Sequence, residues 1–251
     1  MYVGPRYLLL LASLAGCAGA PARGEVVVGA AASLAAILPE LISAFETETG
    51  IDVTVTIGST GLLAQQIRQG APLDVFLAAD VATVDALAEE GLIVPATRAV
   101  YARGRLAMWA RDTSGAPIVR IEDVARASVR RIAIANPINA PYGRAARAAL
   151  ERAGVWHAVE PRLAIAENVR QALQYAETGN ADVAFVAHTL VRDLSGRSTL
   201  VPDSLHAPLD QALGVRAAQD SAHAVRFASF VLGPGGRSIL ERHGFGLPEA
   251  R

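Results

Sequence analysis

Residues 53–80 constrain the fold more than any other stretch of the chain. Positions 53–57 (V-T-V-T-I) alternate like a β-strand, Gly58-Ser59-Thr60-Gly61 is a turn bearing two hydroxyls, and positions 62–69 carry helical spacing. The nearly all-apolar run at 73–77 then reads as a strand of the kind buried in a parallel sheet. Such a strand, turn and helix point the free N–H groups of the helix's first residues, and the positive end of its dipole, at whatever sits above Ser59 and Thr60. An anion fits there, although the same hydroxyls can also simply cap a helix.

The pattern recurs along the chain. Residues 25–30 form a β-branched strand, and Ala31-Ala32-Ser33 leads into a helical stretch over 34–49, with Ser33 placed to cap it. Residues 81–90 read as a helix stopped by Gly91. A long extended run over 99–110 is broken at Gly104, and that break is where the chain is expected to cross from one lobe to another. Beyond it a short helix is expected at 121–125, strands at 131–135, 162–166 and 181–187, and helices at 144–153 and 169–178, the last closed by Gly179. A return strand at 209–216 and helices at 221–232 and 237–243 complete the chain. The fold class is therefore α/β, with lobe I expected over 25–103 plus 209–251 and lobe II over 104–208.

Composition removes several functions. The 251 residues carry a formal charge of −1 and no basic stretch, so the electrostatic footprint of a nucleic-acid binder is missing. All 23 basic residues are arginine, which excludes a Walker A phosphate loop and every Schiff-base lysine mechanism. The five histidines are scattered without metal-ligand spacing, so no cation site and no cofactor is expected. No G-x-S-x-G elbow is present, and Ser33 has no adjacent histidine in sequence. Asp74 and Asp80 bracket an apolar strand and read as turn and cap residues, while Trp109 and Trp156 read as core or hinge aromatics.

Residues 1–16 have the order of a targeting segment: Arg6 supplies positive charge, 7–15 are a short apolar run, and Leu14-Ala15-Gly16-Cys17 closes it. The tetrapeptide resembles a bacterial lipobox, which implies cleavage before Cys17, lipid on its thiol and a tether over 17–24. Cleavage near Ala20 or Ala22 as an ordinary signal peptide is the alternative. Cys17 is the single cysteine of the chain, so neither a disulfide nor a cysteine metal site is available to the folded part.

Four strand-to-helix loops remain as a constellation, centred on Ser33, on Ser59 with Thr60, on Tyr142 and on Val169. In an open parallel sheet such loops share one edge, and ligands bind in the crevice there. Two lobes offering two helix N-termini each would enclose a small anion with hydroxyls and backbone N–H groups. Arg144 and Arg170 sit close after two of the loops and are expected to point to solvent, because cations are unfavourable at helix N-termini.

Five segments, A-A-A-S-L, G-S-T-G-L-L-A-Q-Q-I-R-Q-G-A-P-L-D-V-F-L-A-A-D, N-P-I-N-A-P-Y-G-R-A-A, A-E-N-V-R-Q-A-L and G-P-G-G-R-S-I-L-E-R-H-G-F, together resemble the periplasmic molybdate-binding proteins of molybdenum ABC importers. The resemblance covers nearly all of the chain after the signal. It implies a type II periplasmic-binding-protein fold, two α/β lobes closing on a tetrahedral oxyanion, and delivery to a membrane permease with its ATPase. Such a protein is a monomeric carrier and not an enzyme. By the same resemblance Ser33 is the first hydroxyl ligand, Ser59 and Thr60 occupy a paired-serine turn with Thr60 as the ligand hydroxyl and Ser59 as its alternate, and Val169 is a backbone donor. Tyr142 falls where the family uses a small residue's N–H. Some members carry a tyrosine hydroxyl where this chain has Ala187, a contact that must be lost or replaced, with Tyr142 as the candidate. Molybdate and tungstate are not separable at this level; sulfate, another anion, or a hydrolase or transferase on the same scaffold are the alternatives.

Overall fold

The computed structural model describes residues 24–115, 118–217 and 222–248. The signal-like run and Cys17 lie outside the described residues. Among the described residues ten strands, β1 (Glu25–Ala31), β2 (Asp52–Gly58), β3 (Val75–Leu77), β4 (Ala99–Gly104), β5 (Leu106–Ala110), β6 (Ile132–Ala135), β7 (Leu163–Ala166), β8 (Val183–Ala187), β9 (Arg197–Leu200) and β10 (Leu209–Val215), divide between two sheets. The helices are α1 (Leu38–Thr49), α2 (Thr60–Arg68), α3 (Val81–Glu89), α4 (Pro141–Arg152), α5 (Trp156–Val159), α6 (Val169–Glu177), α7 (Ala222–Leu232) and α8 (Pro234–Arg242).

One sheet has the order β2-β1-β3-β10-β4, the other β7-β6-β8-β5-β9. Their plans match. In the first, β1 is flanked by parallel β2 and β3, and β10 runs antiparallel between β3 and β4; in the second, β6 is flanked by parallel β7 and β8, with β5 antiparallel between β8 and β9. Each sheet therefore sends the carboxyl ends of its parallel strands towards one edge, where the following helices begin. The central strands β5, β6 and β8 are buried at every position, as strands covered on both faces must be, whereas edge strand β2 alternates.

The chain passes between the sheets within a single residue: Gly104 ends β4 and Leu106 begins β5. It returns between β9 and β10. Each lobe has its own apolar core, and in the first α1 packs on α7 through Phe45, whose ring meets Phe227 edge-on at 5.0 Å and Phe230 at 5.5 Å.

Several expectations need correction. Ser33 caps no helix: it lies in a 3-10 turn (Ala32–Leu34), and α1 begins at Leu38 behind an Ile37 N-cap with no side-chain cap bond. Pro39 is the reason, because it has no N–H to give to the Ala35 carbonyl and its ring crowds that carbonyl, so the regular ladder starts only beyond it. The same rule moves the start of α4 back to Pro141 from the expected 144, and that of α8 back to Pro234 from 237. The polar edge strand β9 (R-S-T-L) had no readable periodicity. Arg144 does not simply point to solvent, since its guanidinium pairs with Asp80 of the other lobe.

Gly143 shows how tightly α4 is seated on the second sheet. A Cβ there would lie 2.2 Å from the Ala135 carbonyl oxygen and 2.8 Å from the Asn136 carbonyl carbon, both backbone atoms that cannot swing away. Gly143→Ala is expected to lower stability by about 1–3 kcal/mol, the usual cost of overpacking, as measured by urea unfolding.

Candidate functional site

Between the two sheets lies a small cavity of about 10 Å³, lined by Ala31, Ala32, Ser33, Gly58, Ser59, Thr60, Ala79, Ala140, Pro141, Tyr142, Asn168 and Val169. The four loops singled out in the sequence all reach it. None of the lining side chains carries a charge.

What the walls present follows from how each helix starts. In α6 the Asn168 side chain accepts from the N–H of Arg170 at 3.1 Å and of Gln171 at 3.0 Å, and its carbonyl accepts from Ala172, so Val169 N–H is left without a helical acceptor. In α4 the first helical bond runs from Arg144 N–H to Ala140 O at 3.0 Å; Pro141 has no N–H, and those of Tyr142 and Gly143 precede the ladder. In α2 the N-cap is Ser59, whose side chain makes no cap bond. Its Oγ is buried and has no hydrogen-bond partner.

Ser59 and Thr60 are thus not equivalent. Thr60 Oγ1 accepts the Ala79 N–H at 2.9 Å and ties α2 to the end of β3, whereas the Ser59 oxygen is free. A buried hydroxyl without a partner loses its hydrogen bonds to water for nothing in return, and such groups are rare enough to ask for a ligand.

The lobes touch across this cavity. Gly61 N–H of α2 donates to Asn139 O at 2.8 Å, Thr189 Oγ1 donates to Ser33 O at 3.1 Å, and Arg144 pairs with Asp80. Gly61 has to be glycine at this approach, since a Cβ would sit 2.8 Å from the Asn139 oxygen. Asp80 also caps α3 by accepting the Thr83 N–H, and Asp74 accepts from Val27 N–H, so both carboxylates serve the backbone as the sequence suggested.

Behind Ser33 is a buried polar cluster that sequence reasoning missed. Gln211, fully buried in β10, accepts from Tyr101 Oη at 2.9 Å and from Ser33 Oγ at 3.4 Å, and donates to Tyr142 Oη at 3.2 Å. The Tyr142 hydroxyl also interacts with the Ser33 side chain, while Tyr101 Oη has a second acceptor in Ala78 O at 3.1 Å. Burial holds both phenols well above the usual tyrosine range, so they remain protonated donors. The polar pair Asp210-Gln211 in an otherwise apolar strand was the available signal for Gln211, but its partners come from β4, α4 and the 3-10 turn after β1.

The other marked residues have structural roles. Trp109 is buried in β5, Trp156 lies under Arg147 with the guanidinium carbon 5.1 Å from the ring centroid, and Arg170 pairs with Glu177. Among the described residues no cluster of histidine, cysteine, aspartate or glutamate could hold a metal ion. Glu167 is exposed and lines a second cavity with Thr56, Gly58, Leu62, Gln66 and Gln69 of the first lobe.

Two sheets of equal plan, joined by short crossings and closed on a small charge-free pocket of donors, define a two-lobed binding protein for a small solute. The sequence profile of the bacterial extracellular solute-binding proteins matches residues 26–246, and the chain belongs to that family. Curated relatives include the molybdate-binding protein ModA of Rhodobacter capsulatus, 35% identical over 240 residues that cover 94% of this chain and 93% of the relative. The ModA of Azotobacter vinelandii is 34% identical over 246 residues, covering 94% of each. Among solved structures, the periplasmic molybdate-binding protein of Azotobacter vinelandii superposes with a TM-score of 0.84 at 29% identity, over 89% of this chain and 100% of that one. These relatives are solute-binding proteins and not enzymes.

Asn168 can be tested without any ligand. Asn168→Ala strips the acceptor from two first-turn N–H groups, and a loss of about 0.5–2 kcal/mol in chemical unfolding is expected, typical of a deleted N-cap. An unchanged unfolding midpoint would show that the cap does not hold the Val169 turn.

Proposed function

We propose that this chain captures molybdate, or the equally tetrahedral tungstate, between its two lobes and delivers it to a membrane ABC permease and its ATPase. The observation that carries the proposal is the unpartnered Ser59 hydroxyl in a pocket whose other free groups are first-turn amides and no charged side chain. Such a wall offers protons and takes almost none, which suits a fully deprotonated dianion. The molybdate-binding relatives support the same reading.

We assign the hydroxyl donors to Ser33 and Ser59, and the backbone donors to Tyr142 and Val169. Thr60, which sequence reasoning placed ahead of Ser59, takes the supporting role because its oxygen already serves Ala79. The lobes are taken as residues 25–103 with 209–251 and residues 104–208, a division supported by the crossing at Gly104. In the cell the carrier is a periplasmic monomer tethered through lipid on Cys17, with residues 1–16 removed and 17–24 as the tether.

Calorimetric titration with molybdate, tungstate, sulfate and phosphate tests the assignment. Molybdate and tungstate are expected to bind alike, sulfate more weakly because it is smaller and reaches fewer donors at once, and phosphate poorly because it keeps a proton the walls cannot accept. Ser33→Ala and Ser59→Ala should each weaken molybdate binding about 10- to 100-fold, since a hydrogen bond to a charged group is worth roughly 1.5–3 kcal/mol. Equal affinity for phosphate and molybdate would overturn the donor-only reading. Separately, Cys17→Ser should release the protein from the membrane fraction, because the thiol is the attachment atom. Wild-type protein found free in the soluble fraction with an unmodified N-terminus beyond residue 17 would rule the anchor out.

A further inference from the structure

Arg144 stands where its charge is least favoured. It lies in the first turn of α4, at the positive end of that helix's dipole, two residues beyond the cavity-lining Tyr142. A guanidinium in that position has to find its partners outside the helix. The structure gives it two: the Ile138 carbonyl in the loop before α4, at 3.5 Å, and Oδ2 of Asp80 on the opposing lobe.

Asp80 is set up to receive it. As the N-cap of α3 it accepts the Thr83 N–H on Oδ1 at 2.9 Å, which orients the carboxylate and leaves Oδ2 for the arginine. It also directly follows Ala79, a residue of the cavity wall. The Asp80 side chain is 18% exposed and that of Arg144 47%, so the pair is half-shielded from water at the rim of the cleft. The other ion pairs whose two members are both described lie within one lobe. Beside this one Gly61 N–H meets the carbonyl of Asn139, the neighbour of Ile138, so one guanidinium braces the loop that touches the first lobe and grips that lobe as well. Parting the lobes would pull Arg144 from Asp80 and leave each with its local partner, Ile138 O and Thr83 N–H. The pair thus belongs to the closed form alone, and an interaction made in one of two states shifts their balance by its whole worth.

We propose that Arg144 and Asp80 form a latch across the rim of the cleft, which slows the escape of a captured ion without touching it. The inference rests on the two-lobed oxyanion reading above and deepens it, by separating the residues that keep the ion in from those that recognise it. Recognition stays with neutral donors, because no charged side chain lines the closed pocket. Retention falls to a charge pair outside the pocket, whose arginine is neutralised by its carboxylate partner when the lobes meet. A free cation at the same place would favour every anion alike.

The experiment times the binding of labelled molybdate, and its escape into excess unlabelled molybdate, in wild type, Arg144→Gln, Asp80→Ser and the double variant. Serine caps a helix as well as aspartate does but is too short to reach α4. Each single change is expected to speed dissociation about two- to fivefold, the range of a partly exposed ion pair, while association changes less because the ion arrives with the lobes apart. The double variant should release molybdate no faster than the faster single one, since each change removes the same bond. Asp80→Ser gives the decisive sign: were the carboxylate only a negative charge near a dianion, its removal would slow release. Slower release from Asp80→Ser, independent effects in the double variant, or unchanged release in both singles would overturn the latch and leave the oxyanion reading standing. So would a lower melting temperature of ligand-free Arg144→Gln, which would show a structural role in the open form, where removing a cation from a helix N-terminus should cost nothing. A wild-type protein that binds none of the tetrahedral oxyanions would overturn both.

Discussion

Every α-helix begins with backbone N–H groups that have no acceptor inside it, and this chain collects several of those beginnings in one enclosed place. Exposed to water, such groups are harmless; enclosed between two lobes they need a partner, and a small anion with acceptors on all sides meets several at once. The parallel strands β1, β2, β6 and β7 all lead to that place. Asn168 shows how the demand is tuned, since it satisfies two amides of α6 itself and leaves the Val169 N–H for the cavity.

A wall of neutral donors differs from a wall of positive charges in what it can refuse. Arginines would draw in any anion and would hold it more tightly with each added charge. Here the cavity-lining side chains are uncharged, and the nearby guanidinium of Arg144 is engaged by Asp80 on the other lobe. Recognition then depends on the number and direction of protons offered. That makes hydroxyl orientation decisive, because a serine, unlike an amide N–H, can turn round and accept.

Closure depends on equally local features. Gly61 allows the first turn of α2 to reach the backbone of the opposing lobe, and Gly104 makes room for the Tyr142 hydroxyl where the chain crosses between sheets. Side chains at either point would hold the lobes apart. Beside these polar contacts, Ala31, Ala32 and Ala79 of the first lobe join the buried apolar cluster of the second.

The sequence by itself determined the class of fold and marked the loops that line the cavity. Period-2 and period-3.6 patterns, glycines after helices and prolines at their starts are local signals, and local signals are enough to alternate strands with helices and to mark the turns at Ser33, Ser59, Tyr142 and Val169. The break in the extended run at Gly104 was legible for the same reason. Tertiary structure decided the rest. Whether Ser59 or Thr60 keeps a free hydroxyl depends on Ala79, nineteen residues away in the chain from Thr60. The role of Gln211 depends on residues 69, 110 and 178 positions distant, and no periodicity encodes contacts at those separations. Pattern places a side chain on a face of its own element; which protons point at which oxygens is settled when the elements pack, because hydrogen bonds act over about 3 Å and across whatever chain distance the fold has closed.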